Sequence, residues 1–183
     1  MVIYIILGVL AVMMLWAVST YNGLVRLRAL VDEAWSGIEV QLKRRFDLIP
    51  NLVETVKGYS LHEKTVLENV TKMRSMVQQA STTSEKIEAE TGLTQALRTL
   101  FAVAENYPEL KANQNFLKLQ DSLASIEHEL QLSRRYYNGT ARNYNVMLGQ
   151  FPSNMIANMG GFKIAPYFEV SSAQERETPK VQF

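Results

Sequence analysis

The two histidines are the side chains most able to bind a metal ion, and their neighbours argue against it. His62-Glu63 begins like the zinc-protease motif H-E-x-x-H, but Val66 stands where the second histidine is required. In di-iron helical bundles a glutamate lies three residues before a ligand histidine, and neither His62 nor His128 has one there. We therefore expect no metal site and no cofactor at these positions.

The composition removes several other kinds of chemistry. Cysteine is absent, so the chain has no disulfide, no thiolate metal site and no thiol nucleophile. No nucleophile elbow, phosphate-binding loop or dinucleotide-binding glycine pattern occurs. With 19 basic and 18 acidic residues the net charge is +1, which gives no argument for nucleic acid as a partner. We predict a protein that is not an enzyme.

Glu63 is the acidic residue whose position most needs an explanation. Residues from Ile49 to Val77 step by three and four in a heptad pattern typical of a coiled coil, and Glu63 is the polar member. A carboxylate on such a seam costs stability unless it is paired. Candidate partners are Ser133, Thr140, Arg134 and Arg135. Alternatively, a helix end leaves Glu63 half exposed, and the sequence leaves both explanations open.

Polar residues concentrate at two further places. The set near Pro50 consists of Arg44, Arg45, Asp47 and Asn51. The set on the last predicted helix consists of Arg134, Arg135, Asn138, Asn143 and Asn145. One interpretation is a polar groove for a partner peptide or a lipid head group. The other, which we favour, is that these side chains hydrogen-bond loop backbones and helix ends.

The N-terminal segment has the properties of a membrane anchor. The first 25 residues contain no charged side chain, and Val2–Tyr21 is long enough to cross a hydrocarbon layer of ~30 Å as a helix. A cleaved signal peptide would have a basic residue before the apolar run, and this sequence has none there. Basic residues begin after it, at Arg26 and Arg28. This asymmetry predicts a single-pass protein of the cell membrane with its N-terminus outside and its C-terminal domain in the cytoplasm.

Helical spacing of apolar residues continues beyond the anchor. A series in steps of three or four runs from Leu24 to Ile49, and Pro50 then favours the end of one helix and the start of another. Further helices are predicted over Pro50–Gln79, Glu85–Asn106 and Leu110–Gly149, with an N-cap at Thr83 or Ser84. The predicted fold class is all-α: a single N-terminal transmembrane helix continuous with an antiparallel bundle of about four long helices.

Three regions follow from these elements. Residues 1–22 form the transmembrane anchor, residues 23–170 the helical-bundle domain, and residues 171–183 a polar tail that we expect to be disordered. Within the second region, Phe162–Val170 is apolar without periodicity, so we expect it to pack as a strap.

The alternation of helix directions returns the chain to the bilayer after the fourth helix. The segment from Phe151 to Phe162 should therefore lie near the lipid surface. Its candidate contacts with the membrane or with a second subunit are Phe151, Met155, Ile156, Met159 and Phe162. Packing of this segment against its own bundle is the alternative, and the one we favour.

Several ordered motifs resemble those of the LemA family. They are Tyr21-Asn22, Leu24-Val25, Arg44-Arg45, Leu48–Val53, Ala104–Asn113, Arg134–Asn138, Tyr144-Asn145, Phe151–Asn154 and Ile156-Ala157. The resemblance covers about Val2 to Glu169. It implies a bacterial-type, single-span protein with a helical-bundle domain and no catalytic motif. It also implies, by association with HtpX-like membrane metalloproteases, a link to membrane-protein quality control.

We therefore predict a membrane-anchored, non-catalytic helical scaffold or adaptor. Its partners would be the lipid bilayer and a membrane protease or another membrane protein. A second copy of the chain is a further candidate partner, because heptad seams pair between chains as readily as within one. The process would be membrane-protein quality control or envelope stress. A second hypothesis is membrane-surface remodelling or signalling through Phe151–Phe168. A third, an unrecognised enzyme or metal protein, lacks clustered ligands in the sequence.

Overall fold

The computed structural model describes residues 1–59 and 63–168, and every regular element within these ranges is a helix. The helices are α1 Val2–Lys57, α2 Lys64–Gln79, α3 Thr83–Ala104, α4 Pro108–Lys111, α5 Gln114–Gly149 and α6 Ser153–Met159. The predicted all-α fold with one long apolar N-terminal helix is therefore confirmed. His62 and the tail predicted over residues 171–183 lie outside the described residues.

The described chain divides into two compact units. The first unit contains Met1–Glu39 and Gln131–Tyr167, and the second contains Val40–Leu130 and Phe168. Helices α1 and α5 therefore contribute residues to both. The three regions drawn from the sequence stay a prediction.

The first unit is built on an antiparallel pairing of α1 with α5. The rings of Trp35 and Tyr137 meet edge to face with their centroids 5.5 Å apart. Further toward the N-terminus of α1, a Cβ on Gly23 would lie 3.0 Å from Met147 Cε. Earlier residues of α1 thus meet later residues of α5, which is the antiparallel arrangement predicted for long helices with heptad spacing.

The second unit encloses a hydrophobic core between the end of α1, the α2–α3 hairpin, α4 and the beginning of α5. Its buried members include Ile49, Leu52, Val56, Val70, Leu93, Leu97, Leu100, Leu110 and Phe116. Helix α3 starts with a capping box: the Thr82 hydroxyl accepts from the Glu85 backbone amide, and the Glu85 carboxylate accepts from the amides of Ser81 and Thr82. These bonds to Ser81 and Thr82 lower the pKa of Glu85. The N-cap is therefore Thr82, and the prediction of Thr83 or Ser84 was wrong.

The predicted helix boundary at Pro50 is also wrong. Helix α1 continues through Pro50 to Lys57, and the next helix begins at Lys64. A proline inside a helix removes the backbone donor to the carbonyl four residues earlier, here Phe46, and usually kinks or ends the helix. The burial of Ile49 and Leu52, both 0% exposed, on either side of Pro50 favours continuation.

A side chain of α2 supplies a donor to the carbonyl that Pro50 leaves unpaired. The Nε of Arg74 donates to the backbone oxygen of Phe46 at 3.4 Å, and its guanidinium lies 3.8 Å above the Phe46 ring. One arginine thus combines a hydrogen bond with a cation–π contact at the site of the missing amide. Local sequence rules could not detect this, because Arg74 is distant in the chain.

The start of the fourth predicted helix also differs from the prediction. The fourth predicted helix is divided into α4 and α5, because the Asn113 side-chain oxygen accepts from the backbone amides of Asn115 and Phe116 and begins a new helix. Helix α5 ends at Gly149 as predicted, and Phe151 just beyond it is 81% exposed. Helix α6 then forms over a segment for which no helix was predicted.

The described part of the predicted strap, residues 162–168, has no regular structure and is held by α5. Asn145 donates to the Ala165 carbonyl at 2.8 Å and accepts from the Ala165 amide at 2.9 Å. The Tyr137 hydroxyl donates to the Pro166 carbonyl at 2.8 Å. Burial, and secondarily the charge of Asp32, raises the pKa of Tyr137 to about 12, so the hydroxyl keeps the proton it donates.

We predict that Asn145→Ala releases the strap. The substitution removes both hydrogen bonds to Ala165, each with a net value of about 0.5–1.5 kcal/mol, so amide exchange of residues 162–168 should accelerate by about tenfold or more. Hydrogen exchange read by mass spectrometry on the full chain in detergent measures this. Asn143→Ala, an exposed asparagine two residues earlier on α5, is the matched control and should leave exchange unchanged. Equal exchange rates in the two variants would contradict the role of Asn145.

Candidate functional site

Arg45 lies at the centre of a buried polar cluster in the second unit. It is 5% exposed, and its Nη1 donates to Glu90 Oε1 at 2.5 Å and to the Thr94 hydroxyl at 3.0 Å. The same nitrogen lies 3.1 Å from a carboxylate oxygen of Glu127. The Thr94 hydroxyl in turn donates to the Glu90 backbone carbonyl at 3.0 Å. One guanidinium from α1 therefore holds carboxylates from α3 and α5.

Arg45 was among the candidate residues predicted from the sequence, whereas Glu90 was not. The residues buried on this face of α1 are Ile38, Leu42, Arg45, Ile49, Leu52 and Val56, in strict steps of four and three. Glu90 has the same relation to Leu93, Leu97 and Leu100 on α3, and is 1% exposed. On each of these two helices, one charged residue occupies a position in the heptad pattern that is otherwise apolar. This feature of the sequence could have predicted that Arg45 and Glu90 are buried and paired.

Glu63, predicted on a continuous seam, lies instead at the N-terminal end of α2. It is half-buried, and its carboxylate accepts a hydrogen bond of 3.1 Å from the Tyr107 hydroxyl. Desolvation and this contact raise the pKa of Tyr107. The partners expected on the last helix were wrong, whereas the alternative of a half-exposed position at a helix end was right. Nearby, the Asn113 amide donates to the Tyr59 hydroxyl at 2.8 Å.

The remaining candidates near Pro50 are exposed on α1. Asp47 pairs with Lys43 at 3.2 Å, and the Asn51 carbonyl accepts from the Thr55 hydroxyl at 2.7 Å. Arg44 and Asp47 line an open cleft of about 610 Å³. The other lining residues are Leu48, Asp121, Ser122, Ser125 and Ile126. A partner groove and simple solvation both fit this arrangement, so a binding role for these residues stays a prediction.

The candidates on α5 belong to the first unit. Arg134 and Asn138 are half-buried and engaged in interactions, and Arg135 is exposed. Asn145, two turns beyond Asn138, fastens the strap as described above. A binding role for Arg134, Arg135 and Asn138 likewise stays a prediction.

The apolar candidates at the end of the first unit divide by exposure. Phe151, Met155 and Met159 are 81%, 57% and 85% exposed. Ile156 and Phe162 are half-buried, and Phe162 packs its ring against Tyr21 of α1. The segment therefore packs against its own unit through Ile156 and Phe162, whereas Phe151, Met155 and Met159 stay exposed.

The described residues include His128, whereas His62 lies outside them. No group of three or more histidine, cysteine, aspartate or glutamate side chains placed to hold a metal ion occurs within residues 1–59 and 63–168. The buried carboxylate of Glu90 and the half-buried carboxylate of Glu127 face the guanidinium of Arg45, whose positive charge offsets theirs.

We predict that Arg45→Met destabilises the second unit by about 3–5 kcal/mol, because it leaves Glu90 and Glu127 without their buried guanidinium. Protection of α3 amides from hydrogen exchange in the full chain measures the loss.

Two variants control this experiment. Arg44→Met changes the exposed neighbour and should alter stability by no more than about 0.5 kcal/mol. Arg45→Met/Glu90→Leu should recover most of the loss, because an apolar pair of similar volume replaces a buried ion pair at little cost. Equal effects of Arg44→Met and Arg45→Met would show that the cluster is not a core element.

Comparisons with known proteins bear on the family. The model of the LemA family matches residues 34–183. Magnetosome protein MamQ 1 of Paramagnetospirillum magneticum is 25% identical over 179 residues, covering 84% of this chain and 66% of the relative. Magnetosome protein MamQ of Magnetospirillum gryphiswaldense is 23% identical over 189 residues, covering 88% and 70%. Protein LemA of Metamycoplasma hominis is 26% identical over 141 residues, covering 76% and 64%.

The chain thus spans just under two thirds of the length of the MamQ 1 and MamQ 2 proteins. None of these matches indicates a catalytic family. The family match covers far more than half of the chain and confirms the resemblance found in its motifs. The chain belongs to the LemA family.

Proposed function

We propose that this chain is a membrane-anchored, non-catalytic helical scaffold or adaptor, held in the cell membrane by the first part of α1. The observation that carries the proposal is the exposure of that segment. Helix α1 contains a window long and apolar enough to cross a membrane, and none of that window is buried in the fold. Apolar side chains such as Ile3, Leu10 and Met14 are more than half exposed. A surface of this kind needs hydrocarbon around it.

The use of the polar side chains supports a non-catalytic role. In the described residues, the buried charges of Arg45 and Glu90 face each other, Glu63 faces Tyr107, and Asn145 fastens the strap. Each of these groups satisfies a neighbour within the fold. The names of the relatives specify a magnetosome protein and a LemA protein, and neither name states a reaction.

The distribution of charge supports an orientation. The first charged side chains after the apolar segment are Arg26 and Arg28. Basic residues within about 15–20 residues of a span favour the cytoplasmic side. We propose that the N-terminus lies outside and that the packed helices lie in the cytoplasm. There they would meet partners such as a membrane protease, another membrane protein or a second copy of the chain.

Introducing charge into the proposed span tests the anchoring. Leu7→Arg/Leu10→Arg should shift the full chain from the membrane pellet to the alkaline-carbonate supernatant, because each central arginine costs about 2.5–3.5 kcal/mol of insertion free energy. Val40→Arg, at an exposed valine of the same helix beyond the apolar segment, is the matched control and should stay in the pellet with the unmodified chain.

A single cysteine reports the orientation in the same membranes, because the chain has no other. Val40→Cys should react with a membrane-impermeant maleimide in inverted vesicles and not in intact cells. Extraction of the unmodified chain by carbonate would contradict the anchoring, and labelling of Val40→Cys in intact cells would contradict the orientation.

A further inference from the structure

Two uncharged stretches of the chain meet in the first unit. One covers residues 1–25 and the other residues 143–162. They are joined by an aromatic contact, since the rings of Tyr21 and Phe162 lie edge to face with their centroids 5.5 Å apart. An uncharged surface therefore extends from the apolar end of α1 onto the end of α5 and onto α6.

Helix α6 is oriented by its polar contact with α5. Ser153 and Ala157 are buried, and the Ser153 hydroxyl hydrogen-bonds a backbone carbonyl of α5 at 2.7 Å. Met155 and Met159 lie four residues apart on the face left exposed, and Phe151 stands just before the helix with 81% exposure. Two large apolar side chains of α6 and one just before it are thus exposed, while the opposite face of α6 packs against α5.

An apolar cleft joins α6 to the predicted span. It has a volume of about 350 Å³. Its lining residues are Ala17, Val18 and Tyr21 of α1 with Ile156, Met159 and Gly160. None of these six lining residues is charged, and the volume of the cleft is within the range of protein sites for small apolar molecules. A hydrocarbon chain suits such a lining.

Basic residues border both uncharged stretches in the sequence. Arg26 follows the first uncharged stretch, while Arg142 and Lys163 bracket the second. Basic side chains at the borders of an apolar surface can interact with lipid phosphates while the apolar face enters the acyl region. A second copy of this chain could also cover an apolar face, but the continuity with a segment that needs hydrocarbon favours lipid.

We propose that α6, with Phe151, Met155 and Met159, lies in the headgroup–acyl boundary of the leaflet from which α1 emerges, and that the cleft against α1 takes a lipid acyl chain. The proposal rests on the membrane anchoring proposed above. It makes α6 a second lipid contact, which would fix the rotation of α1 about its own axis relative to the bilayer surface.

Lipid-depth quenching on the full chain tests the proposal. Single-cysteine variants Met155→Cys and Met159→Cys carry an environment-sensitive fluorophore in vesicles of phosphatidylcholine and phosphatidylglycerol. Interfacial helices lie ~5–10 Å into the headgroup–acyl boundary, so an acyl-chain nitroxide should quench both positions at least about threefold more than Tyr136→Cys. Tyr136 is an exposed aromatic of α5 in the same unit, and Met13→Cys, within the predicted span, is the positive control.

Each outcome separates the two proposals. Quenching of Met155→Cys and Met159→Cys together with Met13→Cys supports both. Quenching of Met13→Cys alone keeps the anchoring and overturns the placement of α6. Shielding of the α6 labels from aqueous iodide without lipid quenching also overturns it, because another copy of the chain would then cover this face. No quenching at Met13→Cys would overturn the anchoring and the placement together.

Discussion

The continuity of α1 through Pro50 is the constraint on which the other contacts of the second unit depend. Arg74 replaces the missing backbone donor at the Phe46 carbonyl, and the buried residues on either side of Pro50 keep one register. That register places Arg45 on the buried face, seven residues after Ile38 and four before Ile49. If the helix were broken at Pro50, the residues after it would no longer keep this register. The core that they share with α2 and α3 would then be exposed.

Several polar groups among the described residues connect one element of the fold to another. Arg45 joins α1 to α3 and α5, Tyr107 joins the α3–α4 junction to the start of α2, and Asn145 joins α5 to the strap. Such contacts cost desolvation, but they specify one arrangement among many that heptad seams would allow. Met155 and Met159 of α6 and the apolar part of α1 show the opposite property, because they are exposed among the described residues.

The sequence predicted the features that depend on periodicity and missed those that depend on distant partners. The apolar N-terminal helix, α3 and α5 follow from the repeated spacing of apolar residues in the sequence. The course of α1 through Pro50 depends on Arg74, and the burial of Arg45 depends on Glu90, so neither is visible locally. Glu63 was placed on a seam because the pattern continued across a helix end. Helix α6 is too short to establish a period.

A distance measurement across Pro50 tests the continuity of α1 most directly. Spin labels at Val40→Cys and Glu54→Cys, both exposed positions of α1 in the second unit, are 14 residues apart and should give a narrow distribution near the ~21 Å expected from 1.5 Å per residue. Pro50→Ala should leave the distribution unchanged, and Arg74→Met should broaden it. A broad, shorter distribution in the unmodified chain that narrows in Pro50→Ala would contradict a continuous helix and show a hinge at Pro50.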